Sequence, residues 1–233
     1  MNGKHAGKRL YDVIGAFPLS IALVDAEQDL SIQVHPDGDL AKYESYYFIE
    51  APKSGRIYCG IDNLPPESIR AAIETNAILP RIGQIPIQPE DYVFIEPRTV
   101  HALSAGSFVY EIEHGEDNTY RLFDYNRVDA DGNQRPTQVE QAMRWLDATL
   151  CATPRQYHQN QNTVIAEKTY VTKLLTDVTT VKNTESVYEC LTLLSGNAAI
   201  DGVPLKIGMT VIIEPDEKLE RLRIDKCILV RPL

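Results

Sequence analysis

Along most of this chain, apolar and β-branched residues come in short runs close to strict alternation, and Gly, Pro, Asn and Asp break the runs apart. Residues 19–24, 30–34, 45–50, 91–96, 107–113, 164–173, 189–194, 209–214 and 226–231 read as strands. Two segments keep a helical period instead. Residues 66–79 begin at a proline, and residues 137–150 set Val139, Ala142, Met143, Leu146 and Leu150 near helical spacing. The pattern predicts an all-β sandwich or barrel carrying a few short helices.

The strand pattern also repeats. Residues 87–97, ending Val-Phe-Ile-Glu-Pro, match residues 205–215, ending Val-Ile-Ile-Glu-Pro, at a constant offset of 118. A duplicated β domain is the inference. Residues 1–150 form the first domain, 151–162 a linker with several Gln and Asn, and 163–233 a smaller second domain. The offset sets Leu219 where His101 stands, and residues 163–233 contain no histidine. The second domain is therefore expected to be metal-free and structural.

Candidate chemistry gathers in the first domain. Gln33 and His35 are two apart at the end of a strand run and point the same way, a neighbouring strand supplies Glu44, and His101 ends the run that starts at Tyr92. Two imidazoles, a carboxylate and an amide oxygen suit one Zn²⁺ per chain, and Fe²⁺, Mn²⁺ or Co²⁺ fit the same donors. An open coordination position would leave room for substrate. Ser31 shares the face of Gln33 and His35, while Glu111 and Glu113 share a face of the strand after His101.

Composition narrows the function class. With 43% hydrophobic and 24% charged residues over 233 positions, the chain can build a sizeable core. A formal charge of -10 opposes nonspecific binding to nucleic acid or anionic membrane, but permits a local basic pocket for a small anion. No apolar run approaches the roughly 18 residues that span a bilayer, and the N-terminus does not lead into a signal-peptide core. The expected location is cytoplasmic. Four cysteines without a CxxC pair fit reduced thiols. A homodimer through an open sheet edge is compatible with the chain, though nothing in it compels one.

Phe17-Pro-Leu, residues 25–37 with Gln33-Val-His-Pro-Asp, Lys42-Tyr-Glu, Thr99-Val-His-Ala and residues 119–127 around Arg121 together resemble the type I mannose-6-phosphate isomerases, which are zinc-dependent cupins. The resemblance runs from about Phe17 to Leu150 and is looser beyond. It implies two cupin-type β-barrel (jelly-roll) domains and a metal-dependent aldose–ketose isomerase. The reaction interconverts mannose 6-phosphate and fructose 6-phosphate through an enediolate. It further implies zinc ligation by Gln33, His35, Glu44 and His101, a catalytic Arg121, Lys42 beside the metal, and Ser31 and Arg127 near the substrate phosphate. A carboxylate or a water on the metal would move the proton, and Glu111 is the carboxylate nominated from its strand face.

The chain also departs from that family. An N-terminal segment usual before Gln33 is missing, Ala22 stands for a common lysine, and Tyr46 stands for a tryptophan. Glu90 and Arg98 replace glycines, so the turns around residues 91–96 are expected to avoid positive φ. A noncatalytic sugar-binding metal cupin, or an isomerase of another sugar, is the alternative.

Overall fold

The computed structural model describes residues 5–128, 130–156, 163–200 and 203–233. The chain divides into two compact units, residues 20–156 and residues 1–19 with 157–233. Both are built mainly from strands.

Strands β1 (Leu19–Asp25), β2 (Ile32–Val34), β3 (Lys42–Glu50), β4 (Arg56–Ile61), β5 (Ile82–Pro86), β6 (Asp91–Ile95), β7 (His101–Ala102), β8 (Phe108–Gly115), β9 (Tyr120–Phe123) and β10 (Arg155–Gln156) belong to the first-half architecture. They form two five-stranded sheets, ordered β1-β8-β3-β6-β10 and β5-β4-β7-β2-β9. One apolar layer joins the sheets, with Tyr46, Phe48, Val93, Ile95 and Val109 from the first packed on Ile57, Cys59 and Ile85 from the second. The other face of the second sheet buries Ile32, Val34, Ala102 and Leu122 in a cluster that contains Ile69 of helix α2 (Pro66–Glu74) and Ala142 of helix α3 (Val139–Trp145). Alternation therefore gives β2 two jobs: Ile32 and Val34 face the helices, and Gln33 faces the other sheet.

Both helices are shorter than their apolar period predicts. After α2, Asn76 takes a left-handed φ of 55° and the Ala77 N–H returns to Ala72 O, a C-terminal cap that ends the helix before Leu79. After α3, Leu146 turns extended, and the Asp147 N–H goes to Arg98 O instead of a helical carbonyl. Strands β4 and β5 escaped the periodicity because Gly60, Gly83 and Pro86 read as punctuation. Gly83 is there for contact: a Cβ at that position would lie 2.4 Å from the Cys59 carbonyl oxygen.

The remaining unit contains the five-residue helix α1 (Leu10–Ile14) and strands β11 (Thr163–Ala166), β12 (Tyr170–Lys182), β13 (Glu189–Gly196), β14 (Ala198–Ile200), β15 (Val203–Leu205), β16 (Thr210–Ile213) and β17 (Lys218–Pro232). Its main sheet runs β11-β12-β17-β13-β16, with β14-β15 as a separate hairpin. The run predicted at 164–173 is broken by a turn in which the Glu167 N–H bonds Tyr170 O. Most of the expected linker, 157–162, lies outside the described residues. Among the described residues no sheet closes on itself, so the architecture is open β-sheets with short helices.

The two units share a plan. The order β1-β8-β3-β6 matches β12-β17-β13-β16. Register matches too: Glu44 pairs with Ile95 as Glu189 pairs with Ile213, and Tyr46 pairs with Val93 as Leu191 pairs with Val211. Tyr46 also pairs with Glu111 as Leu191 pairs with Leu229. The turns agree as well, but against expectation. Glu90 and Arg98 both take φ 72°, and their counterparts 118 residues on, Gly208 and Asp216, take 83° and 61°. The positive φ predicted to be avoided is adopted, because the turn geometry at each end of β6 overrides the steric preference of Glu and Arg.

Candidate metal centre

Five strands, β7, β2 and β9 of one sheet and β3 and β8 of the other, place the polar residues of the first unit in the layer between its sheets. Gln33 on β2 pairs in register with His101 on β7 and with Arg121 on β9, so all three side chains share one face. Opposite them, Lys42, Glu44 and Tyr46 alternate along β3, and cross-strand pairs set Glu113 beside Glu44 and Glu111 beside Tyr46. His35 follows β2 directly. His35, Glu44 and His101 are buried, at 0%, 1% and 0% exposure.

The histidines are oriented from behind. His35 Nδ1 lies 2.7 Å from Asn118 O and His101 Nδ1 lies 2.9 Å from Thr99 O. A carbonyl accepts only, so each Nδ1 carries a proton and each Nε2 is turned forward, able to donate to Glu44 when protonated and to ligate an ion when not. Those Nε2 atoms stand 3.0 Å from Glu44 Oε1 and 3.2 Å from Glu44 Oε2, respectively. His35 Nε2 has no hydrogen-bond partner although it is buried. At this range from a carboxylate, an Nε2 either donates a second ring proton or shares a cation with it. Atoms bound to a single ion at about 2.0–2.2 Å lie roughly 3–3.5 Å apart, which these spacings meet. His35, Glu44 and His101 thus form a buried cluster able to hold a metal ion. Carbonyl anchoring of the far ring nitrogen is the usual support for metal-binding histidine.

Gln33 adjoins the cluster, with Nε2 3.4 Å from His101 Nε2 and Oε1 receiving the Ser31 hydroxyl at 3.3 Å. Rotating the amide by half a turn would offer Oε1 to an ion and Nε2 to Ser31, an exchange invisible to the heavy-atom outline. Tyr46 donates to Glu44 Oε2 at 2.5 Å, and Lys42 Nζ lies 3.0 Å from Glu44 Oε1 and 2.7 Å from Glu113 Oε1. Burial works against the Lys42 charge, but Glu44 and Glu113 outweigh it and hold the ammonium above its usual range. Burial likewise disfavours the Glu44 charge, and the facing imidazoles, His35 first, reverse this and hold the carboxylate well below its usual range. Glu111 is opposed only by the more weakly acting Lys42 charge. Burial, then the charges of Glu44 and Glu113, push its carboxyl up to about 8.

The other anticipated residues differ in their partners. Arg121 projects on its face, and its Nε is buried without a hydrogen-bond partner. Ser31 is tied to Gln33. Arg127 engages Asp124 Oδ1 at 3.2 Å, donates to the Asp29 carbonyl, and lies 4.6 Å over the Tyr125 ring. Sequence reasoning did not find the Asn118 and Thr99 carbonyls, because a backbone acceptor leaves no residue-type signal. Nor did it find the Lys42–Glu113 pair, which needs the β3–β8 register.

No family model matches the chain. It is 36% identical over 136 residues to "Probable mannose-6-phosphate isomerase GmuF" of Bacillus subtilis, covering 54% of this chain and 43% of that protein. It is 30% identical over 154 residues to mannose-6-phosphate isomerase ManA of the same organism, covering 62% and 49%. The chain thus matches less than half the length of each of these curated relatives. In fold it superimposes on the crystal structure of mannose 6-phosphate isomerase from Bacillus subtilis with a TM-score of 0.73 and 22% identity, covering 93% of this chain and 75% of that one.

Proposed function

This chain belongs to the type I mannose-6-phosphate isomerase family, and on that premise we propose that it interconverts mannose 6-phosphate and fructose 6-phosphate. The observation that carries the reading is the pair of imidazoles, each anchored through Nδ1, whose Nε2 atoms converge on one buried carboxylate. We read the two units as paired cupin-type jelly rolls, the second lacking metal. The site would hold zinc through His35, Glu44, His101 and the Gln33 amide oxygen, with Fe²⁺, Mn²⁺ and Co²⁺ suited to the same donors. When bound, the ion supplies Lewis acidity that polarises a sugar carbonyl.

The chain's own residues would do the rest. Isomerisation moves a proton between C1 and C2 and builds negative charge on the two oxygens. Arg121, permanently charged and with its Nε unpaired, stabilises that charge, and Lys42 adds a second fixed cation beside Glu44. Glu111 is the group proposed to carry the proton, since a carboxyl held near 8 exchanges readily at neutral pH. Arg127 and Ser31 are assigned to the phosphate end, as a charge-assisted fork and a hydroxyl donor. The free cysteines support a reducing, cytoplasmic setting.

A coupled isomerase assay on zinc-loaded protein across several sugar phosphates tests this. The expected result is turnover of mannose 6-phosphate that disappears in His101→Ala. Saturable binding without turnover would show a noncatalytic sugar-binding cupin instead, and preference for a different sugar would redirect the substrate. Arg121→Ala should reduce turnover while leaving metal content intact; joint loss of both would contradict its assigned role.

A further inference from the structure

Outside the metal centre, two sulfurs far apart in sequence are packed together. The segment after α3 lies along β4, where the Ala152 N–H donates to Cys59 Sγ at 3.1 Å and the Cys151 thiol reaches the Cys59 carbonyl at 3.6 Å. A Cβ built on Gly60 would sit 3.6 Å from both Cβ and Sγ of Cys151, so the backbones approach side by side. Both thiols are free. Cys151 is exposed, whereas Cys59 is 1% exposed in the apolar layer between the sheets. Burial raises the Cys59 thiol to about 12, and the neighbouring Cys151 thiol adds to the rise.

We propose that Cys59 and Cys151 are an oxidisable pair that closes to a reversible disulfide when the protein meets a hydroperoxide. The exposed Cys151 sulfur attacks the peroxide oxygen, the O–O bond breaks, and its thiol proton leaves with the departing oxygen as water (or alcohol, from an organic peroxide). Cys151 becomes a sulfenic acid. The Cys59 sulfur then attacks the Cys151 sulfur, the S–O bond breaks, and hydroxide takes the Cys59 proton and leaves as water. Two thiols are oxidised and one peroxide is reduced. Burial shields Cys59 from solution oxidants and leaves Cys151 as its partner, which makes the pair selective. Cys59 is also the register partner of His101, so oxidation acts on the strand next to a metal-centre histidine. Transient, responsive disulfides of this sort are compatible with a reducing compartment.

The test is treatment of the full-length native chain with hydrogen peroxide, followed by denaturation, thiol alkylation and mass spectrometry. Of the four cysteines, two should resist alkylation, the intact mass before alkylation should fall by two hydrogens, and a proteolytic digest should yield a linked Cys59–Cys151 peptide. Dithiothreitol should restore all four. Cys151→Ser, at an exposed position, should abolish the link, and Cys227→Ser should leave it unchanged. Oxygen added to Cys151 with Cys59 still alkylatable, or a link between two chains through Cys151, would overturn the proposal. The result does not depend on isomerase activity, so its failure is separable from failure of the functional reading.

Discussion

One strand plan carries two opposite solutions to a buried carboxylate. Glu44 and Glu189 occupy the same register positions on β3 and β13, and both are 1% exposed. Glu44 faces two imidazoles and an ammonium. Among the described residues Glu189 faces no imidazole, and Leu219, 118 residues on from His101, is buried in an apolar cluster. It is answered by Lys173 at 3.4 Å. Arg231 follows Glu113 at the same interval, so a cation takes the place of an anion in the second unit. Around Glu189, Leu191 and Leu229 replace Tyr46 and Glu111. A buried carboxylate must be compensated. Both units build in a lysine, Lys42 or Lys173, but the first adds two imidazoles in a cluster able to hold a metal ion, while the second fills the corresponding volume with leucine.

The sharpest way to break this comparison is to remove the first unit's charge. If the proposed isomerase reading holds, Glu44→Gln should lower turnover by roughly 10³-fold, because several kcal/mol of carbonyl polarisation would depend on the ion assigned to Glu44. A steady-state assay at saturating zinc checks it. In the second unit, Lys173→Met should leave turnover nearly unchanged and destabilise the fold by about 1–3 kcal/mol, as Glu189 loses its partner. Adding Glu189→Leu should recover most of that loss in urea melts. If the double variant is no better than the single, Lys173 is not the built-in counter-charge.

The pH response separates the two units further. Glu111 is held at about 8 against an ordinary 4.5, so the metal-free fold keeps a proton that the unfolded chain releases. Its contribution is complete below about 4.5 and is lost as pH rises towards about 8. Glu111→Gln should flatten that part of the stability profile, whereas Leu229, its counterpart, cannot titrate. Urea midpoints of metal-free protein at several pH values measure the difference.

The smallest expected effect concerns the turn before β6 and its copy before β16. Gly208→Ala should cost about 1 kcal/mol, because a side chain is disfavoured at φ 83°, and Glu90→Gly should gain no more than about 1 kcal/mol by the reverse exchange. Thermal melts of the two variants should move in opposite directions.

What could be read from sequence was what side-chain type and spacing encode. Alternation located β1, β3, β6, β8 and β13, and the spacing of Gln33 and His35 anticipated their shared direction. The offset between residues 87–97 and 205–215 anticipated a plan now seen in strand order and register. Strands β4 and β5 were lost to glycines and a proline whose role is close packing, visible only once Gly83 meets Cys59. The positive φ of Glu90 and Arg98 went unread because residue preference describes a residue alone, whereas the turn is fixed by the strands on either side. Glu189 carried no sign of its kinship with Glu44, because that kinship lies in pairing register.

The most direct measurement is the metal content of purified, dialysed protein beside His101→Leu, which writes the second unit's residue into the first. One divalent ion per chain in the parent protein and essentially none in the variant is the predicted result. A parent protein that binds no ion, or a variant that keeps one, would contradict a single centre built on His35, Glu44 and His101.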